Sequence, residues 1–580
     1  MGSLGICLSV LFGFVLLTWD STVIIQTNAM PPPSPVKCDR NGCTLYNAYG
    51  VWDDRRDCRA QRVVFPETEE ELLLAVAQAN KKKLKVKIVT GFSHSIPKLA
   101  CPLRNSSILI STAKYNSGIE IDVNNMTVTV DSGVGLRSLI DKVEEAGLSL
   151  VVSPYWEGLS IGGIVSTGAH GSSWWGKGGA VHDHIVGISV IVAANESDSY
   201  AKIIQLDAQN PLFNAARISL GMLGAISKVK ISLEAGFKRS ITNVYQNDTN
   251  LEDEVMDLAV AHEFADITWY PSFRTTVYRK DDRVPSNTSG NGINDFIGFQ
   301  PTPIFLSEST RSAEENVEKT RDIEEQCELA STLVGYKKSL ANGLKNDGVS
   351  FTGYPVVGRQ GRMQASGSCL YSPKLTQSTC VWDRRIKGLF FYESGAVFPA
   401  SNFGDFIRDV KKLRDLKPSN FCGLDMYIGF LMRFIKASEA YLGHPEDSIA
   451  VDFTYYRAND PSTPRMNQDI LEEIEQLAFF KYSAKPHWAK NRNLAFFGVK
   501  EKYPKFSKFL EAKKVLDPGN MFSTDLLDEI VFGIESANAA GCAMEGQCIC
   551  SEDKHCNPRL GYLCQPGLVY TAAKVCRPSV

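Results

Sequence analysis

The sequence lacks several features that would point to common classes of partner. It carries 62 Lys plus Arg against 65 Asp plus Glu, a formal net charge of −3 that gives no global signal for nucleic acid or an anionic membrane. After the first 19 residues no stretch approaches the length of a membrane span. With 44% hydrophobic and 22% charged residues, the composition excludes disorder, collagen and coiled coil for most of the chain. At 580 residues the chain can bury a large core and enclose a sizeable ligand.

The first 29 residues are predicted to be a signal peptide. Ile6–Trp19 is an apolar run of 14 residues, short for a membrane span and typical of a signal-peptide core. No basic residue precedes it, so a short signal anchor is the alternative. Cleavage is expected between about Ser21 and Ala29. The last residues, Arg577–Val580, do not form a lipid-anchor tail. The chain is therefore predicted to be secreted, with no membrane association after signal removal.

The cysteines support an oxidising compartment. One of the 15, Cys7, lies in the signal peptide, and the remaining 14 form an even set that predicts disulfides rather than metal ligands. Six lie in residues 541–580, a tail with too few apolar residues for a core. A zinc module is the rival interpretation, but regular C-x-x-C pairs are missing. The tail is interpreted either as an adhesive module that contacts the cell wall or glycans, or as a stabilising appendage.

Acceptor tripeptides Asn-x-Ser/Thr predict N-glycosylation at Asn105, Asn125, Asn195, Asn247 and Asn287.

Hydrophobic periodicity predicts an α+β fold rather than a regularly alternating doubly wound one. The predicted units are a signal peptide (1–29), a Pro- and Cys-containing leader (30–56), a first domain (57–236), a second domain (237–481), a C-terminal segment (482–535) and the Cys-rich tail (541–580). Thr68 and Glu71 form a capping box that begins a helix. Further helices are predicted at 136–146, 312–344 and 403–416, and strands at 62–65, 85–89, 108–111, 119–123, 127–131, 388–392 and 448–456.

Three segments rich in Gly, Ser and Thr lie within the first domain. They are Gly91–Ser95, Gly162–Ser172 and Ser219–Ile226. Glycines allow close approach of the backbone to a ligand, and successive N–H groups in such turns form concavities that bind anions. None matches the G-x-G-x-x-G or G-x-x-x-x-G-K-[ST] pattern. Each alone is consistent with a tight turn, whereas the three together indicate a large ligand.

These segments resemble the flavoprotein oxidases of the vanillyl-alcohol oxidase type, most closely the sugar-lactone oxidase branch. The first resembles the pyrophosphate loop G-G-G-H-S-P, with Gly91, His94, Ser95 and Pro97 in place. The second resembles I-G-G-x-x-x-T-G-x-H-G from Ile161, the third resembles S-L-G-x-L-G, and residues 487–490 reproduce H-W-A-K. The resemblance spans Asp57 to about Gly533. It implies a two-subdomain FAD-binding domain (57–236), an α+β substrate domain (237–481), and a segment that returns to the flavin (482–535), followed by the disulfide-rich tail.

The cofactor implied by the resemblance is FAD, attached through a single histidyl link at His94. A neutral imidazole can attack the electrophilic 8α-methyl carbon, and no Cys lies between Cys101 and Cys327 to form a second bond. The alternative is a loop histidine that makes a surface hydrogen bond. His170 either lines the flavin or is satisfied by nearby backbone. The full set implied to bind FAD is Gly91, Phe92, Ser93, His94, Ser95, Ile161, Gly162, Gly163, Thr167, Gly168, His170, Gly171, Gly221, Gly224 and Ile226.

No metal site is predicted. His182 and His184 are spaced i, i+2, as metal-binding pairs on strands can be, but the sequence offers no evident third ligand.

The reaction centre is expected around Lys490, His487 and Asp452. The resemblance places the ammonium of Lys490 where reduction puts negative charge on the flavin, with His487 supporting it or facing substrate. The alternative is a solvated lysine. Relatives carry Glu-x-Arg on a strand facing the flavin; here Asp452 shortens the acid, Thr454 replaces the arginine, and strand alternation puts Arg457 on the opposite face.

Pro154, seven residues before Ile161, is the predicted oxygen gate, and a shift of one residue would place Tyr155 there.

The expected activity is FAD-dependent oxidation of L-gulono-1,4-lactone by O₂, giving L-ascorbate by tautomerisation and H₂O₂. Its partners are therefore a small sugar lactone and O₂. A flavin oxidase of another sugar or alditol is the alternative within the enzyme class. A secreted carbohydrate-binding protein without flavin activity is the alternative outside it.

Overall fold

The computed structural model describes residues 36–45, 58–91, 101–102, 107–297, 302–364, 378–379, 391–456, 458, 460, 462–533 and 537–579. The predicted signal peptide lies outside these residues. Within them, no helix is both long enough and apolar enough to cross a membrane.

The N-terminal part is built around two sheets. Its strands are β1 (Val36–Asp39), β2 (Gly42–Leu45), β3 (Cys58–Ala60), β4 (Arg62–Val64), β5 (Lys85–Val89), β6 (Ser107–Ser111), β7 (Ile119–Asp122), β8 (Thr127–Asp131), β9 (Leu148–Ser149), β10 (Ile185–Ala193), β11 (Ala201–Asp207), β12 (Ala225–Ser232) and β13 (Glu234–Ala235), and its helices are Glu69–Lys81, Leu136–Glu145, Ile161–Thr167 and Phe213–Ala216. A three-stranded parallel sheet has the order β4-β6-β5, and a five-stranded antiparallel sheet has the order β11-β10-β12-β8-β7. The helix Glu69–Lys81 packs between the two sheets. Thr68 is confirmed as its N-cap, since Thr68 Oγ1 accepts from the N–H of Glu71 at 3.2 Å, but the return bond of a capping box is displaced by one residue: Glu71 Oε2 accepts from the N–H of Glu67 at 2.8 Å.

The second part is organised around an eight-stranded sheet. Its strands are β14 (Lys238–Asn247), β15 (Asp266–Tyr270), β16 (Thr275–Val284), β17 (Ile293–Asn294), β18 (Thr302–Pro303), β19 (Leu344–Lys345), β20 (Val356–Arg359), β21 (Ser378–Thr379), β22 (Phe391–Pro399), β23 (Phe430–Ile435), β24 (Ser448–Tyr456) and β25 (Lys485–Pro486). The sheet order is β20-β14-β16-β15-β23-β24-β22-β25. The helices of this part are Leu251–Ala261, Ile304–Thr320, Ile323–Ser339, Gln360–Met363, Ala400–Leu416, Cys422–Asp425 and Gln468–Gln476. The chain then returns to the N-terminal part, because the helices Val499–Lys502, Phe506–Leu516 and Asp525–Phe532 pack against its core.

Side-chain alternation gives this sheet two faces of different character. Ile449, Val451 and Phe453 of β24 belong to the apolar core beneath the helices Leu251–Ala261 and Ala400–Leu416. Their alternate neighbours, including Asp452, point to the other face. That second face carries the charged residues of the candidate site.

Three local predictions are wrong. The single helix over 312–344 is two helices, because Arg321 has a φ of 57° and the side chain of Asp322 caps the second helix. The strand predicted at 388–392 is found at Phe391–Pro399. The helix predicted at 403–416 begins three residues earlier, at Ala400.

The tail is held together by disulfides, as predicted. Its pairs are Cys542–Cys548, Cys550–Cys564 and Cys556–Cys576, and it contains β26 (Tyr562–Pro566) and β27 (Lys574–Pro578). Further disulfides join Cys38 to Cys43, Cys58 to Cys101 and Cys327 to Cys422. Cys369 and Cys380 lie outside the described residues.

Candidate active site

A buried carboxylate lies at the centre of the candidate site. Asp452 is only 2% exposed, on a strand whose residues are nearly all buried. Its Oδ2 pairs with the guanidinium of Arg433, and its Oδ1 lies 2.9 Å from Nζ of Lys490. Lys490 also lies 2.7 Å from Oε1 of Glu393. Two carboxylates and two cations therefore alternate around one point, which satisfies the requirement that buried charges be paired.

The sheet register brings these side chains together. Arg433 is on β23, Asp452 on β24 and Glu393 on β22, three strands that are adjacent in the sheet. Gly395 lies directly opposite Asp452 and leaves space for the cluster. A Cβ at Gly395 would lie 2.9 Å from Cβ of His487 and 3.2 Å from Cδ of Lys490. Any larger residue at this position would push the H-W-A-K segment off the sheet.

Charge pairing sets the ionisation state of Asp452. Burial alone would favour the neutral acid, but Arg433 and Lys490 hold the pKa of Asp452 well below its ordinary value. The carboxylate is therefore ionised throughout the physiological range, and it fixes both cations in place.

Two neutral imidazoles lie beside this cluster. The rings of His170 and His487 are 5.3 Å apart, and Arg433 donates to the carbonyl oxygen of His170 at 3.1 Å. Burial, with Arg433 nearby, holds the pKa of His170 well below its ordinary value, and burial with Lys490 nearby does the same for His487. Nδ1 of His170 lies 2.9 Å from the carbonyl oxygen of Gly171 and must donate to it. Nε2 of the neutral ring is then an acceptor.

The predicted oxygen gate adjoins the same cluster. Pro154 is buried, and the next residue, Tyr155, places its ring 5.2 Å from the guanidinium of Arg433. The Tyr155 hydroxyl donates to Asp266, which lies opposite Arg433 on β15. Whether Pro154 or Tyr155 governs oxygen access stays a prediction.

The second and third Gly-rich segments contact each other in the N-terminal part, and Gly91, the one described residue of the first, adjoins a contact with Ser160. Ser160 Oγ donates to Thr90 Oγ1 at 2.9 Å, next to Gly91. The N–H of Leu220 donates to the carbonyl oxygen of Ser166 at 2.8 Å, which joins the second and third segments. The sequence prediction that these segments meet is thus consistent with the geometry.

The start of the second segment does not present free backbone N–H groups to a ligand, as an anion-binding turn would. The N–H groups of Ile161, Gly162 and Gly163 donate to Val134 O, Ser132 O and Ser160 Oγ. These amides are therefore already used within the protein, so any contact of this turn with a cofactor would be van der Waals contact. Thr167 uses its hydroxyl on Gly163 O, and the remaining residues, Gly168, Gly171, Gly224 and Ile226, lie in tightly packed turns or, for Ile226, in β12.

A buried lysine that the sequence did not single out lies beside the third segment. Lys87 is 7% exposed, and its Nζ lies 3.6 Å from the position that a Cβ on Gly221 would take. Burial lowers the pKa of Lys87 to about 8. Among the described residues it has no carboxylate partner, so an anion is the group that this position lacks.

Part of the predicted cofactor set is not described. Phe92, Ser93, His94 and Ser95 lie outside the described residues, as does Arg457. The covalent link at His94 therefore stays a prediction.

Sequence comparisons identify the family. Residues 60–196 match an FAD binding domain, residues 382–530 match D-arabinono-1,4-lactone oxidase, and residues 539–578 match the C-terminal domain of L-gulonolactone oxidase 2-like proteins. The chain is 57% identical to L-gulonolactone oxidase 3 of Arabidopsis thaliana over 97% of each chain. It belongs to the L-gulonolactone oxidase family. A more distant member, L-gulonolactone oxidase of Scyliorhinus torazame, is 22% identical over 84% of this chain and 99% of its own.

Solved structures with a similar fold are those of flavoprotein oxidases. A solvent-stable cholesterol oxidase superposes with a TM-score of 0.64 at 14% identity, covering 86% of this chain and 99% of its own. Cholesterol oxidase from Brevibacterium sterolicum gives 0.62 at 14% identity, over 87% and 100% of the two chains. The predicted fold is confirmed: a two-subdomain FAD-binding domain of the vanillyl-alcohol oxidase type, an α+β substrate domain and a disulfide-rich tail. The chain is an FAD-binding aldonolactone oxidase, which sets aside a binding protein without flavin chemistry.

The site residues present fit FAD. Within the described part of the chain, two buried polar atoms of the cluster have no hydrogen-bond partner, Nε2 of His170 and Nε of Arg433. One is an acceptor and the other a donor, and their residues are in contact, since Arg433 donates to the carbonyl oxygen of His170. Together with the unpaired cation of Lys87, they are suited to a large ligand that has both anionic and hydrogen-bonding groups.

The partner of Asp452 comes from a neighbouring strand that the sequence analysis did not consider. Arg433 of β23 pairs with Asp452 across the sheet, while Thr454 stands on the strand of Asp452 itself. The signal was present in the sequence: Arg433 is the one charged residue in Phe430–Ile435, and an arginine in an apolar strand requires a buried partner. Sequence reasoning also missed Glu393, which follows two aromatic residues. The solvated-lysine alternative for Lys490 is excluded, since its side chain is 15% exposed and doubly paired.

His182 and His184 both lie in the buried interior, where each hydrogen-bonds within the protein. Nε2 of His182 lies 3.2 Å from Ser438 Oγ, and Nε2 of His184 lies 3.0 Å from Gly178 O.

Acidification is expected to destabilise the protein through two of its buried histidines. Burial, with Arg217 nearby, lowers the pKa of His182 to about 3, and burial with Lys485 nearby lowers that of His444 to about 3. An unfolded histidine has a pKa of about 6.5, so below that pH the unfolded state binds more protons and stability falls. Between about pH 7 and pH 5 each histidine contributes a loss of ~2 kcal/mol.

Urea unfolding at the two pH values measures this loss. In His182→Gln the decrease between the two pH values should be ~2 kcal/mol smaller than in the parent. An equal decrease in both proteins would contradict the assignment.

Proposed function

We propose that this enzyme oxidises L-gulono-1,4-lactone with O₂, releasing H₂O₂ and a product that tautomerises to L-ascorbate. The observation that carries the proposal is the alternating cluster of Glu393, Lys490, Asp452 and Arg433 on a buried sheet face. A neutral polyhydroxylated lactone offers both donors and acceptors, and this cluster presents both within one small region.

Lys490 and Arg433 are the substrate- and flavin-facing donors. An ammonium has three N–H groups, and the two carboxylates use two of those on Lys490, leaving one for a reacting oxygen or the flavin. Nε of Arg433 is likewise available to a lactone oxygen. Because Asp452 holds both cations, their positions are set before substrate arrives.

Proton and hydride leave the substrate by different routes. Oxidation of the carbinol removes a hydride from carbon and a proton from oxygen. Bound FAD would supply the acceptor for the hydride, O₂ would take up the electron pair, and the hydroxyl proton would pass to Nε2 of His170. Nε2 of His170, a neutral acceptor, orients the substrate hydroxyl by accepting its hydrogen bond. His487 keeps the H-W-A-K turn in shape, since its Nδ1 accepts from the N–H of Ala489 at 3.1 Å.

The enzyme is further proposed to be a secreted glycoprotein with covalent flavin. The apolar N-terminal segment and the disulfides support secretion. Of the five acceptor asparagines, those described are all exposed: Asn125, Asn195, Asn247 and Asn287. The match of Gly91, His94 and Ser95 to the pyrophosphate loop of covalent relatives supports the histidyl link.

His94→Ala is expected to leave the flavin bound but not covalently attached. Acid precipitation should then release the yellow colour into the supernatant, whereas in the parent enzyme it stays with the precipitate. A lower flavin reduction potential should accompany the loss of the link. Retention of colour in the precipitated variant would move the attachment to another residue.

Oxygen is the expected electron acceptor, with Pro154 holding the backbone away from the flavin edge. The enzyme should form H₂O₂ in air, one molecule for each lactone oxidised, without added dye. Pro154→Leu should slow reoxidation of the reduced flavin and leave its reduction by lactone unchanged. Turnover that requires an artificial acceptor in the parent enzyme would contradict the oxidase assignment.

A further inference from the structure

The Cys-rich tail, residues 537–579, is docked on the enzyme through buried charges. It lies on the helix Gln468–Gln476, where the carboxylate of Glu473 accepts from the N–H groups of residues 568, 569 and 570 at 2.6–2.7 Å. Glu473 is fully buried. Glu472 accepts from the N–H of Cys576 at 2.7 Å. Charge-assisted hydrogen bonds of this kind fix the tail in one orientation and argue against a loosely tethered module.

A loop of the tail touches the segment that follows Lys490. Cys542 and Cys548 close this loop, and within it the carbonyl oxygen of Gly546 accepts from the N–H of Leu494 at 3.0 Å. Gly546 packs directly against Arg492: a Cβ at this position would lie 2.6–2.8 Å from Nε, Cδ and Cβ of Arg492. The contact thus leaves no space for a methyl group unless Arg492 moves.

Arg492 connects this contact to the reaction centre. Its guanidinium pairs with Glu475, and Glu475 accepts from Ser394 Oγ at 2.7 Å. Ser394 lies between Glu393 and Gly395, the two residues of β22 that surround Lys490. The segment carrying Lys490 is therefore held between β22 on one side and the tail on the other.

We infer that the tail is a brace for the reaction centre and that Gly546 is a positioning residue for Lys490. The inference rests on the proposed function, since it assigns to the tail the task of fixing the ammonium that acts on the flavin. A change in the tail that displaces Arg492 would therefore move Lys490 away from Asp452 and Glu393. The tail is then an integral part of the catalytic unit.

The test compares Gly541 and Gly546, the two glycines that flank the short helix Cys542–Glu545 of the tail. Gly546 and Gly541 have φ of 64° and 74°, so alanine meets similar backbone strain at both. Only at Gly546 does the added Cβ meet a neighbour, because nothing lies within 4 Å of it at Gly541. Gly541→Ala is therefore the matched control for Gly546→Ala. The readouts are the rate of anaerobic flavin reduction by lactone in the full-length enzyme, the flavin absorption spectrum and the melting temperature.

Gly546→Ala is expected to reduce its flavin ~10- to 100-fold more slowly than Gly541→Ala, with an altered flavin spectrum, because a displacement of about 1 Å in a positioned group can cost up to ~10²-fold. Gly546→Ala should also melt at a lower temperature than Gly541→Ala, because only its added Cβ meets Arg492, so the rates are compared at a temperature at which both variants are folded. Equal reduction rates in the two variants would overturn the inference. If Gly546→Ala does not fold, Glu473→Gln loosens the tail from its other contact, and a reduction rate equal to that of the parent enzyme would overturn the inference instead.

Lys490→Met, measured in parallel, separates the two claims. If Lys490→Met reduces its flavin at the parent rate, the proposed role of Lys490 fails. If Lys490→Met reduces its flavin slowly but Gly546→Ala and Gly541→Ala have equal reduction rates, the role of Lys490 stands and only the inference about the tail is rejected.

Discussion

Replacing Lys490 with methionine is expected to slow anaerobic flavin reduction by on the order of 10² to 10³ while the flavin stays bound. Lys490 holds a donor at the centre of the cluster, 2.9 Å from Asp452 and 2.7 Å from Glu393. Methionine keeps the length of the side chain but removes the charge, so it cannot stabilise negative charge that develops on the reduced flavin. Stopped-flow absorbance with excess lactone measures the rate directly.

Lys485→Met is the matched control. Lys485 is on the same segment, five residues earlier, and is also buried, but its Nζ faces the ring of Tyr503 at 5.9 Å rather than the carboxylate cluster. The control should fold and reduce its flavin at nearly the parent rate. A reduction rate in Lys490→Met equal to that of the control would remove Lys490 from the reaction centre.

Asp452→Asn is expected to lower the free energy of unfolding by ~3–5 kcal/mol and to abolish most activity. The substitution keeps the shape of the side chain but leaves the buried guanidinium of Arg433 without its counter-charge. Lys490 retains only Glu393. Urea unfolding gives the stability, and the KM for lactone should rise because Arg433 is no longer fixed in position.

Thr454→Val controls for disturbance of the strand. Thr454 is buried on the same face of β24, two residues from Asp452, and the substitution changes no charge.

Because Arg433 and Lys490 depress the pKa of Asp452, its stabilising contribution is present above the ordinary carboxyl pKa of about 3.9 and is lost as the pH falls below it. The stability difference between Asp452→Asn and the parent should therefore stay constant between about pH 5 and pH 8. A difference that disappears across this range, or a variant as stable as Thr454→Val, would contradict the buried ion-pair assignment.

The local pattern of apolar and polar residues was sufficient to predict many of the helices and strands. Strict alternation predicted β5 at Lys85–Val89 and β24 at Ser448–Tyr456 with the correct bounds. It failed over 312–344, where apolar periodicity continues through a break that depends on the left-handed conformation of a single residue, Arg321. Periodicity reports which face is apolar, whereas such a break is a local backbone event that leaves little trace in composition.

The site was harder to predict because its members come from strands that are distant in sequence. The family resemblance pointed to Lys490, His487 and Asp452, but the arginine was sought on the same strand as the acid. In the folded protein the partner of Asp452 is Arg433, 19 residues earlier, and only antiparallel pairing of β23 with β24 brings them together. Cross-strand register is set by the whole sheet, so a single strand's sequence does not contain it.

The central claim is that this charged cluster holds a sugar lactone against a flavin and drives its oxidation. The most direct measurement mixes the purified full-length enzyme with L-gulono-1,4-lactone in the absence of O₂ and follows the visible flavin absorption. The account predicts rapid bleaching, then recovery of the colour with one equivalent of H₂O₂ when air is admitted. A flavin that stays oxidised with this lactone, while another sugar or an alditol bleaches it, would contradict the proposed substrate; a flavin that none of them bleaches would contradict the account itself.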